Sequence, residues 1–225
     1  VYTAPTQTAI DGWDATPPTG VFMIEFVKGI SNNFLELSTT VTNIPKPGGG
    51  FYNVKEYIEF LAQNTNANGD TKIVLTGAGT SAFIGDAIAP LLRGVWKNVR
   101  AVATTDIVTN AADYLVADKP LLLISFARSG NSPESVAAVN LANAICKNVA
   151  HIYITCNKNG HLAQAANAEN ILSLLLPEET DDKSLAMTSS FSTMLLTCLM
   201  ISQIDHIEAE RERIEAVMSC VLTAC

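Results

Sequence analysis

"LLLISFARSGNSPES", residues 121–135, carries an unbroken apolar run straight into Arg128, Ser129, Gly130, Asn131 and Ser132, with Pro133 next. Six consecutive apolar or small residues bounded by turn residues read as a strand buried on both faces, the pattern of a parallel sheet. A serine followed by proline is a helix start: the hydroxyl caps, and proline occupies the first helical position. Strand, polar loop and helix in fifteen residues are the unit of an α/β fold. Capping accounts for Ser132 alone; it does not call for Arg128, Ser129 and Gly130.

Working outward, the same rhythm recurs. "KIVLTG" (72–77), "VRAVATT" (99–105), "HIYITC" (151–156) and "NILSLLLP" (170–177) have strand length, and amphipathic segments at 81–93, 133–147 and 161–168 separate them. Alternating strands and helices require right-handed crossovers. The expected fold is therefore α/β, a doubly wound, mainly parallel five-stranded sheet of flavodoxin type. Ligands of such sheets bind beyond the carboxyl ends of the strands.

Outside this block, residues 1–20 are rich in Thr, Pro and Ala and read as an arm, and 21–43 as helical. "PKPGGG" (45–50) reads as a linker, so 1–50 is expected to be an N-terminal arm and helix, and 51–205 the main domain. Residues 53–64 have helical periodicity, and so does 185–204. The last segment, 206–225, is a helix with one apolar stripe, expected to reach for a partner or to pack back on the domain.

Composition narrows the function. The 225 residues are 48% hydrophobic and 16% charged, with a formal net charge of −8. That balance supports a large core and argues against nucleic acid or an anionic membrane as partner. No apolar run reaches the roughly 18 residues of a membrane span. The five cysteines lack C-x-x-C spacing, which suits free thiols in a reducing cytoplasm rather than disulfides or zinc. His151, His161 and His206 have no neighbour at metal-ligand spacing, and no metal site is expected.

Two loops stand out as sites. "GAGTSA" (77–82) leaves the first strand of the block as the opening stretch leaves the third. Gly79, Thr80 and Ser81 in one, and Ser129, Gly130, Asn131 and Ser132 in the other, would converge as hydroxyls and helix N-termini on one anion, best a phosphomonoester. The first loop also fits the dinucleotide pattern G-x-G-x-x-A, with Asp106 near the acidic position. That alternative leaves the second loop unexplained, and no Walker lysine is present.

With "VLTGAGTSAFIGDAIAPLL", "ATTDIVTN", "LLLISFARSGNSPESVAAVNLA", "YITCNKNG" and "LPEETDDKSLAMTSS" in view, the chain resembles the sugar isomerase (SIS) domain over about residues 50–205. More closely it is similar to the first half of the bacterial galactosamine-6-phosphate deaminase/isomerases. The resemblance implies that Ser81, Ser129 and Ser132 hold a hexose or hexosamine phosphate. It also implies that Arg128 stands where relatives often carry glutamine, and that Thr188, Ser189 and Ser190 contact the sugar. For those last three, helix capping is the competing reading. The implied reaction is aldose–ketose isomerisation with release of ammonia, which needs no cofactor because the hydrogen moves within one molecule.

In the family the catalytic glutamate and a ring-opening histidine lie in a second SIS domain. This chain is expected to end before that half, so a second SIS domain or a homo-oligomer is the expected partner. Within the chain, Glu178 and Glu179 after the last strand are candidates for the base, the alternative being a solvated acidic loop with Asp181 and Asp182. A non-catalytic phosphosugar-binding module is the reading from another class.

Overall fold

The computed structural model describes residues 41–46, 48–53, 56, 57, 60, 71–165, 170–183 and 187–202. Its core is a five-stranded sheet of β3 (Lys72–Gly77), β4 (Val99–Ala101), β5 (Leu121–Phe126), β6 (Val149–Thr155) and β7 (Ile171–Leu175). The strands run in the order β4-β3-β5-β6-β7, and every pairing is parallel.

Alternation along each strand feeds two separate cores. Ile73 and Leu75 join Leu122, Ile124 and Phe126 on one face, while Val74 joins Leu121, Leu123 and Tyr153 on the other. Helix α1 (Ala82–Leu92) covers the first face with Ile84, Ile88 and Leu92, and α6 (Ser189–Ser202) adds Met194, Cys198 and Ile201. The second face receives Ile107 of α2 (Thr104–Thr109) and Ala138, Val139 and Ala142 of α4 (Pro133–Ile145). Two short helices, α3 (Ala111–Tyr114) and α5 (His161–Gln164), lie in the remaining connections, and residues 56, 57 and 60 are helical as expected for 53–64. Burial on both faces is why these strands read as continuous apolar runs, and the doubly wound α/β class stands.

Several boundaries differ from the sequence reading. The expected strand 99–105 stops at Ala101, and Thr104 already opens α2. Its buried hydroxyl donates to the Gly77 carbonyl at 3.1 Å, a tertiary contact that outweighs the strand preference of threonine. Residues 41–43 are not helical: β1 (Val41–Pro45) pairs antiparallel with β2 (Phe51–Asn53), and Gly48, Gly49 and Gly50 of "PKPGGG" lie in the turn between them. The arm, the terminal helix 206–225 and most of 53–64 lie outside the described residues. Cys146, Cys156 and Cys198 are free and buried, and burial pushes the Cys156 thiol up to about 11.

His151 is structural. Fully buried on β6, it meets Asn143 Oδ1 through Nε2 at 2.9 Å, and burial depresses its pKa from 6.5 to about 4. The unfolded chain binds this proton more tightly than the folded one, so stability is full above pH 6.5 and falls as pH drops through 4. The loss attributable to this group is about 3 kcal/mol. Urea unfolding at pH 7.5, 5 and 4 should show a shallower decline for His151→Gln than for the parent; parallel curves would exclude the assignment.

Candidate functional site

The sheet register builds the site. Gly77 at the end of β3 pairs with Phe126 at the end of β5, so the loops that follow leave the sheet side by side. They enclose a cavity of about 150 Å³ whose lining includes Ser81, Arg128, Ser129, Gly130, Ser132 and Ser135. Ser81, at the start of α1, makes no capping hydrogen bond, and its hydroxyl is free to face a ligand.

The second loop is held from behind. Three of its carbonyls, those of Arg128, Ser129 and Gly130, are engaged by the end of β6 and the segment after it. The N–H of Cys156 and the Thr155 hydroxyl donate to the carbonyl of Arg128, at 3.2 and 3.3 Å. Asn157 Nδ2 donates to that of Ser129 at 3.0 Å, and the Leu162 N–H to that of Gly130 at 3.2 Å. With φ +66° at Gly130, the loop turns its other edge toward the cavity. Among the described residues, the N–H groups of Ser129, Gly130 and Ser132 have no acceptor. Carbonyls engaged from behind and amides without an acceptor, on residues that line the cavity, have the makings of an anion nest.

Ser132 caps α4, accepting from the Ser135 N–H at 3.3 Å, and its hydroxyl donates to the Ser135 hydroxyl at 2.6 Å. Capping and a place in the cavity wall coexist. Ser135 escaped the sequence reading, because the third position after the capping serine holds no Glu or Gln and so gives no capping-box signal.

Arg128 is engaged differently from a simple ligand contact. Its Nη1 donates to Asp181 Oδ1 at 3.1 Å and to the Asp182 carbonyl at 2.6 Å, tying the acidic loop to the loop after β5. The Asp182 carboxylate in turn accepts from the N–H of Ser189 at 3.2 Å and from the N–H and hydroxyl of Ser190, both at 2.7 Å. Ser189 and Ser190 are thus the capped end of α6, and Ser190 is buried. Thr188 is exposed, its carbonyl accepting from Ser192. In their place the neighbouring Met187 lines the cavity.

Gly79 and Thr80 form an exposed 3₁₀ turn at the mouth of the first loop. Asn131 is exposed and braces α5 through Oδ1, accepting from the His161 N–H at 2.9 Å. Glu178 stands exposed in a 3₁₀ turn after β7. Among the described residues the cavity lining holds no carboxylate and no imidazole, and no group of side chains has the makings of a metal site. Asp106 is exposed in the first turn of α2.

A family model described as SIS domain matches residues 68–202. D-galactosamine-6-phosphate deaminase AgaS of Escherichia coli is 56% identical over 162 residues, 71% of this chain and 41% of the relative. AgaS of Shewanella sp. (strain ANA-3), given the same activity, is 48% identical over 135 residues, 58% of this chain and 35% of its own length. The crystal structure of tagatose-6-phosphate ketose/aldose isomerase from Escherichia coli superposes with TM-score 0.63 at 41% identity, covering 88% of this chain and 52% of that one. The matched part of the chain therefore spans less than half the length of the two AgaS relatives and about half of the solved isomerase. With the family's fold, its strand-end loops and the matched residues 68–202 in agreement, the chain belongs to the SIS domain family.

Proposed function

We propose that this chain is the phosphate-anchoring half of a galactosamine-6-phosphate deaminase/isomerase. The observation that carries the reading is one small cavity lined by Ser81, Ser129, Gly130 and Ser132, where the amides of the last three have no acceptor among the described residues and the Ser81 hydroxyl makes no capping bond. Preorganised N–H donors at a helix start suit a phosphomonoester. Identity to relatives named for galactosamine 6-phosphate supports that substrate.

In this reading the phosphate anchors the open-chain amino sugar. A carboxylate takes the C2 proton, giving an enolamine, and the proton returns at C1. The resulting C2 imine adds water and releases ammonia, leaving tagatose 6-phosphate. The cavity's described lining has no group to accept that proton. Glu178, exposed outside that lining, is the weaker source. A second SIS domain or another subunit is the better one, in keeping with the greater length of the relatives. Domain limits of 51–205, with flanking segments serving that partner, and a cytoplasmic setting belong to the same proposal. Among the described residues no helix is long and apolar enough to cross a membrane.

The lack of a base also favours a second reading, a phosphosugar-binding module without turnover. Proton NMR of galactosamine 6-phosphate in D₂O separates the two. The chain should broaden the sugar signals while the C2 proton persists, and Ser129→Ala should weaken binding at least about tenfold, as for a lost hydrogen bond to a charged group. The full-length gene product should exchange the C2 proton. Binding without exchange by the full-length protein would establish the module, and no binding by either would remove both readings.

A further inference from the structure

A second, larger cavity of about 380 Å³ lies at the opposite end of the sheet, against the amino ends of β3 and β4. Its walls include Lys72, Arg100, Lys119 and Tyr114, over a floor of Val74 and Val102. The register explains the convergence. Val74 pairs with Arg100, and side chains alternate with period two. Lys72, Val74 and Arg100 therefore share one face, the face whose core contains Val74 and Val102. Over β5 and β6 that face is roofed by the 13-residue α4. Near β4 it has only the six-residue α2 and the four-residue α3, which ends at Tyr114. The short helices leave the cations around an open hollow.

Charge makes the hollow unusual. The chain has 22 acidic against 14 basic residues, yet the described lining holds three cations and no carboxylate. Lys72 and Arg100 form no ion pair with a described residue. From Lys72 to Gly77 is five strand steps, about 17 Å, so this hollow is separate from the strand-end cavity.

We propose that it is a second anion site, taking a phosphorylated small molecule whose phosphate sits among Lys72, Arg100 and Lys119 and whose body lies against Tyr114 and the valines. Arginine and lysine together supply fork and point-charge recognition of phosphate. The volume falls in the range of small-molecule pockets, roughly 300–1,000 Å³. Among the described residues the lining holds no carboxylate to compete with an anion for these cations. The inference stands apart from the sugar-phosphate reading.

The probe is inorganic pyrophosphate, followed by amide NMR on the 225-residue chain carrying Ser81→Ala and Ser129→Ala to weaken the strand-end nest. Shifts are expected at Lys72, Arg100 and Lys119, with a Kd that rises at least about tenfold when Lys72→Ala and Arg100→Ala are added. Arg100→Gln alone, at an exposed side chain, should weaken binding in the same direction without touching the core. Shifts confined to 78–81 and 128–132, no shifts at all, or a Kd indifferent to these cations would each overturn the proposal. In the parent chain, which keeps both serines, pyrophosphate shifts at the cationic residues with none at 128–132 would instead count against the sugar-phosphate reading, so the two fail separately.

Discussion

Gly160→Ala is expected to disrupt the phosphate loop from behind and to cost both stability and ligand affinity. A Cβ on Gly160 would lie 2.3 Å from the Ser129 carbonyl oxygen, 3.1 Å from Gly130 Cα and 3.2 Å from the Asn157 carbonyl oxygen. All three are backbone atoms, so no rotamer relieves the overlap. The loop after β6 must move off the nest, taking with it the bonds from Asn157 and Leu162 that turn the carbonyls outward. Overpacking of this kind costs about 1–3 kcal/mol. Misaligning amides that bind a charged group should also lower affinity for galactosamine 6-phosphate at least about tenfold. Gly48→Ala, where an added Cβ meets nothing within 4 Å, is the neutral control. Calorimetric titration and urea midpoints together check the result; a variant that keeps both values would show that the loop yields freely.

Asp182→Ala should be the most destabilising change among the polar residues around the site. One carboxylate satisfies the first N–H groups of α6 and the buried Ser190 hydroxyl. Removing it loses a helix cap, about 0.5–2 kcal/mol, and strands a buried hydroxyl, about 1–3 kcal/mol. A combined loss of about 2–4 kcal/mol is expected. Asp182→Asn keeps one accepting oxygen and should lose roughly half as much. The measurement is the urea midpoint at constant m-value. Equal midpoints for the parent and the alanine variant would show that the cap contributes nothing. The carbonyl of the same residue accepts from Arg128, so a displaced loop should also loosen Arg128 beside the nest, and affinity should fall with stability.

The serine and glycine loops were legible because their signals are local. A strand buried on both faces shows as an unbroken apolar run, and Ser132 before Pro133 is a capping signal readable within four residues. The parallel α/β class follows from the same short-range pattern repeated along the chain. The role of Arg128 was not legible, because its partners lie 53 and 54 residues away, and no spacing rule links a guanidinium to a loop at that distance. Nor was the cap of α6. Asp182 stands seven and eight residues before the amides that it satisfies, outside the reach of a conventional N-cap.

The hollow at the amino ends of β3 and β4 shows the same division. Lys72, Arg100 and Lys119 are scattered in sequence, and each alone reads as an ordinary solvated charge. Parallel pairing of β3 with β4 sets Lys72 and Arg100 on one face, and the brevity of α2 and α3 leaves that face open. By itself the sequence determined the strands of the main sheet, the helix start at Ser132–Pro133, and the two loops that supply hydroxyls and amides, since each depends on neighbours within a turn or two; β1, β2 and the start of α2 at Thr104 it did not determine. Only the tertiary structure decided the strand order, the backing of the nest by the loop after β6, and the meeting of distant charges, since these depend on hydrogen-bonded register and packing between segments far apart in the chain.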